Sequence, residues 1–269
     1  MRFFFVLLVL VIFSHSSKAA VWEDNQVWSL QYEEEFSHWM QSAAVNETMF
    51  TSPQSPYYGI NTDCADTAYA LRAIFAYEHL LPFAIRSPSG SRGRNRTLNN
   101  RLTNWDAQRP TSIQRLIAMI NEIGESVGTE SLAHFDTFPV ALKSIQPGSL
   151  FMYKIKARFG NFIRHNYNIK SISDIGTFDV IYSTQANKAK KLPLIRRKNY
   201  DFDKLPSSPW GFKKFRWPEH INQEISTIPM ELGPSIEQYA LAERLGANAF
   251  FKLVRKTLSV TNETSAQRL

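Results

Sequence analysis

The sequence predicts an α+β fold, helices first and an antiparallel sheet second, and three observations predict it. The N-terminal half of the 269-residue chain holds helical patterns bounded by capping residues and proline. After "IQPGSL" the period changes to short β-branched and aromatic runs separated by Gly-containing turns. The chain has one cysteine, and that cysteine opens one of the helices.

The elements follow in order. One Arg, an apolar run from Phe3 to Phe13 and the pattern Ser17-Lys18-Ala19 read as a secretory signal over residues 1–19, cut after Ala19. The run is shorter than the roughly 20 residues that span a bilayer, and no later segment is apolar enough, so no membrane span is expected after signal removal. Losing Arg2 and Lys18 lowers the formal charge from +7 to +5. An exported, moderately basic chain, periplasmic or secreted from a bacterial host, suits anionic surfaces such as cell wall or acidic lipid headgroups; nucleic acid is not expected. Val27–Ala44 reads as a helix, followed by a turn-rich stretch. Cys64–Leu81 is Ala-rich, lacks Gly and Pro, and is stopped by Pro82. Residues 86–112 are polar and basic, a long surface insertion. Ser112–Val127 is another helix, capped by Thr111 or Ser112. Leu150–Ala157, Asn161–Ser173 and Thr177–Gln185 form a three-stranded antiparallel meander. Residues 186–228 read as irregular, and a helical pair, Ser235–Leu245 and Asn248–Leu258, closes the chain.

A single cysteine excludes an intrachain disulfide, and an unpaired exported thiol is open to oxidation, so it is either buried and inert or used. At a helix start, unpaired N–H groups and the helix dipole favour thiolate, and Asp63 or Thr62 can cap the helix. Cys64, Ala68, Leu71 and Phe75 share one inward stripe, the ordinary setting of a cysteine acting as a small hydrophobe. Asp63 and Asp66 oppose ionisation unless a histidinium lies close. A nucleophile on a helix needs a base on another rigid element. His165, in "GNFIRHNYNIKSI" on the middle strand of the meander, fits that need. His38, His79 and His220 read as surface or packing residues, and His134 as a buried hydrogen-bonder.

Four stretches carry a resemblance. "PYYGINTDCADTAYAL" is similar to the Pro-Tyr-x-x-Gly…Asp-Cys-Ser-Gly-Phe run of the NlpC-type cell-wall peptidases and amidases, which are papain-like. "IQPGSLFMY" resembles their Pro-Gly-Asp-Leu strand entry, "RHNYNI" their His-Val-Gly-Ile and "GTFDVIYST" their Gly-x-Phe-Ile-His-Ala-Ser. Together they span about residues 55–186. Cys64 is followed by Ala65-Asp66 rather than Ser-Gly, and 101 positions separate it from His165, more than compact members use.

The resemblance implies a papain-like catalytic domain over residues 20–185, with residues 186–269 as an extension packed on it. It implies Cys64 as nucleophile, His165 as general base and a third polar residue at Tyr182, with Ser183 or Gln185 as alternatives. Tyr57 would lend a hydroxyl to the oxyanion. The implied activity is hydrolysis of an amide in peptidoglycan stem peptides. The alternatives are a papain-fold acyltransferase or lipid hydrolase with the same Cys/His pair, and a non-catalytic envelope protein that keeps the fold. No metal-ligand spacing and no cofactor motif occur. The basic stretches "SPSGSRGRNRTLNNR" and "KAKKLPLIRRK" are solvated loops or contacts for anionic glycan or lipid. "SSPWGFKKFRWP" is a lid or a cleft wall.

Overall fold

The computed structural model describes residues 19–87, 96–106, 108–157, 160–184 and 192–260. Residues 1–18 of the expected signal, residues 88–95 and 107 of the basic insertion and the Lys-rich start of "KAKKLPLIRRK" lie outside the described residues. Helix α1 (Leu30–Gln41) starts at Ser29, whose hydroxyl caps Tyr32 N–H, so Val27 to Ser29 are not helical as expected. Helix α2 (Cys64–Glu78) follows the turn-rich stretch. Strands β1 (Ala84–Ser87) and β2 (Arg96–Asn99) pair antiparallel, β1 at the start of the expected basic insertion and β2 within it. Helix α3 (Ser112–Ser126) is capped by Thr111, with Gln114 completing a reciprocal capping box.

Next come one helical turn, α4 (Thr129–Ser131), and a π-helical stretch over Leu132–Asp136. Strands β3 (Thr137–Pro139), β4 (Leu150–Lys156), β5 (Phe162–Ile172), β6 (Phe178–Tyr182), β7 (Ile195–Tyr200) and β8 (Phe212–Phe215) form one antiparallel sheet in the order β3-β8-β4-β5-β6-β7. The expected meander is β4-β5-β6. The region read as irregular departs from expectation. It adds β7 at one edge and inserts β8 between β3 and β4, so part of residues 186–269 is integral to the sheet. Helix α5 (Glu237–Leu258) breaks at Gly246 (φ 70°, ψ 172°), which gives the expected helical pair.

The sheet carries two cores. On one face α1, α2 and α3 pack against Leu150, Met152 and Ile181. On the other, Phe250, Phe251 and Val254 of α5 pack against Phe151, Tyr167, Ile169, Phe178 and Phe212. Side chains alternate along a strand. Asn166 and Lys170 of β5 therefore reach α2 and α1, while Tyr167 and Ile169 reach the α5 core. Lys170 Nζ donates to the carbonyls of Met40 (2.8 Å) and Ser42 (3.0 Å), placing a cation at the negative end of α1.

Candidate functional site

Helix α2 is buried from Cys64 through Ala76, and it has an N-terminus that the sequence builds on both sides. Asp63 accepts from Ala65 N–H (2.8 Å) and Asp66 N–H (3.0 Å), and Asp66 returns a bond to Asp63 N–H (3.0 Å). This fixes Cys64 at the first helical position, as expected. Its N–H has no hydrogen-bond partner among the described residues. The carbonyl of Cys64 accepts from Asn166 Nδ2 on β5 at 3.2 Å, which ties the helix start to the sheet.

Cys64 is 9 % exposed, and its sulfur sits 3.4 Å from Thr129 Oγ1, with the Asn166 backbone N–H also directed to it. Burial pushes the thiol pKa up, and the Asp63 and Asp66 carboxylates add to the rise; the Thr129 hydroxyl and the Asn166 amide offset part of it. The resting group is the protonated thiol.

His165 lies on the other face of β5. Its ring makes edge contacts with Tyr167 (centroids 4.5 Å apart) and Tyr182 (5.2 Å) and a tilted one with Tyr153 (6.0 Å). Tyr167 and Tyr182 belong to the α5 core. The expected sulfur–imidazole hydrogen bond is therefore not made, and strand parity is the reason: Asn166, the adjacent residue, takes the position facing Cys64. Burial holds the His165 pKa down at about 4, partly offset by Asp63, so the ring is neutral at pH 7.

The remaining sequence candidates separate in the same way. Tyr182 stands beside His165, and its hydroxyl accepts from Arg197 Nε at 2.9 Å. Ser183 is on the Cys64 side, donating to the Thr62 carbonyl at 2.8 Å. Gln185 lies outside the described residues. Tyr57 is a correction: its hydroxyl donates to Glu78 at the far end of α2. Fourteen residues at 1.5 Å rise put that end about 21 Å from Cys64, too far to meet an oxyanion there. The "SSPWGFKKFRWP" aromatics pack inward: Trp210, Phe212 and Phe215 are buried, and Trp217 Nε1 donates to Glu33 at 2.7 Å.

Sequence reading missed Thr129, Asn166 and a charged group beside them. Glu130 accepts from Lys154 Nζ (2.9 Å) and from Arg164 Nε, and His134 Nε2 lies 3.6 Å from the same carboxylate. Lys154 and Arg164 are paired across β4 and β5 with the parity of Met152 and Asn166, so this cluster is on the Cys64 face. The only signal in the sequence was "TESLAH", a hydroxyl, a carboxylate and an imidazole at helical spacing. Among the described residues no group of three or more His, Cys, Asp or Glu is arranged to hold a metal ion. No helix there is long and apolar enough to cross a membrane. No protein-family model, curated protein or solved structure matches this chain.

Proposed function

We propose that the chain is an exported cysteine hydrolase of papain-like, NlpC-type organisation that cuts an amide in peptidoglycan stem peptides, with Cys64 as nucleophile. One observation carries the reading: the sulfur opens a capped helix seated on the central part of an antiparallel sheet, beside hydrogen-bonding groups rather than among aliphatic ones alone. The order of a cysteine helix followed by the β4-β5-β6 meander supports it further.

In the proposed reaction an imidazole takes the thiol proton. The thiolate attacks the amide carbonyl, and the unpartnered Cys64 N–H donates to the developing oxyanion. The C–N bond then breaks, the amine leaves with the proton and a thioester remains. Water attacks that thioester, releasing the acid and restoring the thiol. A lipid-directed hydrolase or acyltransferase would use the same steps on another acyl group.

One observation favours a non-catalytic binding protein instead. The thiol is shifted toward protonation, and the His165 imidazole faces the opposite core. Iodoacetamide separates the two readings. The hydrolase reading expects selective alkylation of Cys64 in the native protein at neutral pH, well above the rate of a buried structural thiol. Alkylation seen only in denaturant would leave the binding reading standing.

A further inference from the structure

We propose that the imidazole serving Cys64 is His134, oriented by Glu130, rather than His165; the inference rests on the hydrolase reading and names the proton acceptor for that site. A base must lie on the side of the sheet from which the nucleophile is approached. Of the two histidines set against β4 and β5, His134 meets that condition. Thr129 Oγ1 is 3.4 Å from the sulfur, Glu130 is the next residue, and His134 follows five residues after Thr129, about one turn along the helical stretch.

The pair has the parts of a base and its orienter. His134 Nε2 is 3.6 Å from Glu130 Oε1, and its ring rests edge-on against Trp210 with centroids 6.2 Å apart. The Glu130 carboxylate is fixed from β4 by Lys154 and from β5 by Arg164. The backbone under it is held too: the buried Lys213 Nζ donates to the Ala133 carbonyl, and Thr137 Oγ1 donates to the Leu132 carbonyl at 2.6 Å. The His134 side chain keeps 42 % of its surface exposed, so it is open to exchange protons. By contrast the ring of His165 is walled by three tyrosines.

An independent feature marks the space beside Cys64 as a place for a ligand. Asn166 is fully buried, and its side-chain oxygen has no hydrogen-bond partner among the described residues, although its nitrogen is spent on the Cys64 carbonyl. A buried orphan acceptor of this kind calls for a donor from outside, such as a substrate amide N–H.

The proton passes from sulfur to His134 through bridging water beside the Thr129 hydroxyl, and from His134 to the leaving amine, so none is gained or lost over the cycle. The charged groups that face the pair are Asp63 and Asp66 at the thiol and Glu130, Lys154 and Arg164 at the imidazole.

The test is the rate of Cys64 alkylation by iodoacetamide between pH 5 and 9 in the full chain, compared with H134A, H134Q, E130Q and H165A. The expected result is an inflection in the histidine range that H134A and H134Q abolish, with a rate loss at pH 7 of about 10-fold or more. E130Q should lower the rate at pH 7, and H165A should keep both the rate and the inflection. An inflection lost in H165A and kept in H134A overturns the assignment while leaving the hydrolase reading intact. A thiol with no histidine-range inflection in the wild-type chain overturns both.

Discussion

At the scale of single residues, the cap of α2 and the environment of His165 give the sharpest expectations. Asp63 accepts two first-turn N–H groups, so Asp63→Ala should cost about 1 kcal/mol in urea unfolding. It should also lower the thiol pKa, because it removes one of the carboxylates that raise it. His165 makes a pH prediction. Its folded pKa, about 4, lies below the ordinary histidine value of 6.5, so the unfolded chain binds the extra proton and stability drops as pH falls from 6.5 toward 4. His165→Phe should flatten that loss, seen as urea midpoints at pH 4.5 and 7 that lie closer together than in the wild type. An unchanged difference would mean that the ring titrates as a solvent-exposed histidine.

At the scale of elements, two glycines with equally open surroundings isolate backbone strain from packing. Gly246 has φ 70° and ψ 172° with no atom within 4 Å of a Cβ built on it, whereas Gly128 is extended with the same free space. Gly246→Ala should cost about 1–3 kcal/mol, because only glycine adopts that conformation at ease, and Gly128→Ala should be near neutral by thermal melting. Elements of this kind were also the legible part of the sequence. The helix opening at Cys64, the helix capped at Thr111 and the three meander strands follow from local signals: a capping aspartate, a capping box, alternation between Gly turns. Strands β7 and β8 were not legible. "IRRKNY" forms an exposed edge strand, and "FKKF" buries two lysines whose charges read as loop. The side facing Cys64 was equally hidden. Alternation names two faces of β5 but not which one meets α2, and a shift of one residue gives that place to Asn166 instead of His165.

At the scale of the whole molecule, a buried polar cluster joins α2 to the sheet and to the turn that carries Thr129 and His134. Asp136 is 1 % exposed and accepts from the Tyr69 hydroxyl (2.5 Å) and from Arg86 N–H (2.7 Å); its own carbonyl accepts from Arg216 N–H (2.9 Å). Burial raises its pKa to about 7 and lowers that of nearby Lys213 to about 7. The signs oppose one another. Because the folded carboxyl binds a proton more readily than the unfolded one, Asp136 contributes stability that is lost as pH rises from about 4 to 7. Lys213 binds its proton less readily when folded, so its effect is to add stability as pH rises from 7 toward 10.5. Between pH 4 and 7 the Asp136 contribution runs against that of His165, so Asp136→Asn should make stability rise more steeply with pH there, and Lys213→Met should remove the upper rise, each read from urea midpoints across pH 4 to 10. A slope between pH 4 and 7 unchanged in Asp136→Asn would place that titration elsewhere.

The most direct measurement is made on purified sacculi. Incubated with the full chain, they should release soluble muropeptides that mass spectrometry identifies as cut at a stem-peptide amide, and the same incubation with Cys64→Ala should release none. Sacculi left intact by the wild-type protein, or equal release by both proteins, would contradict the account.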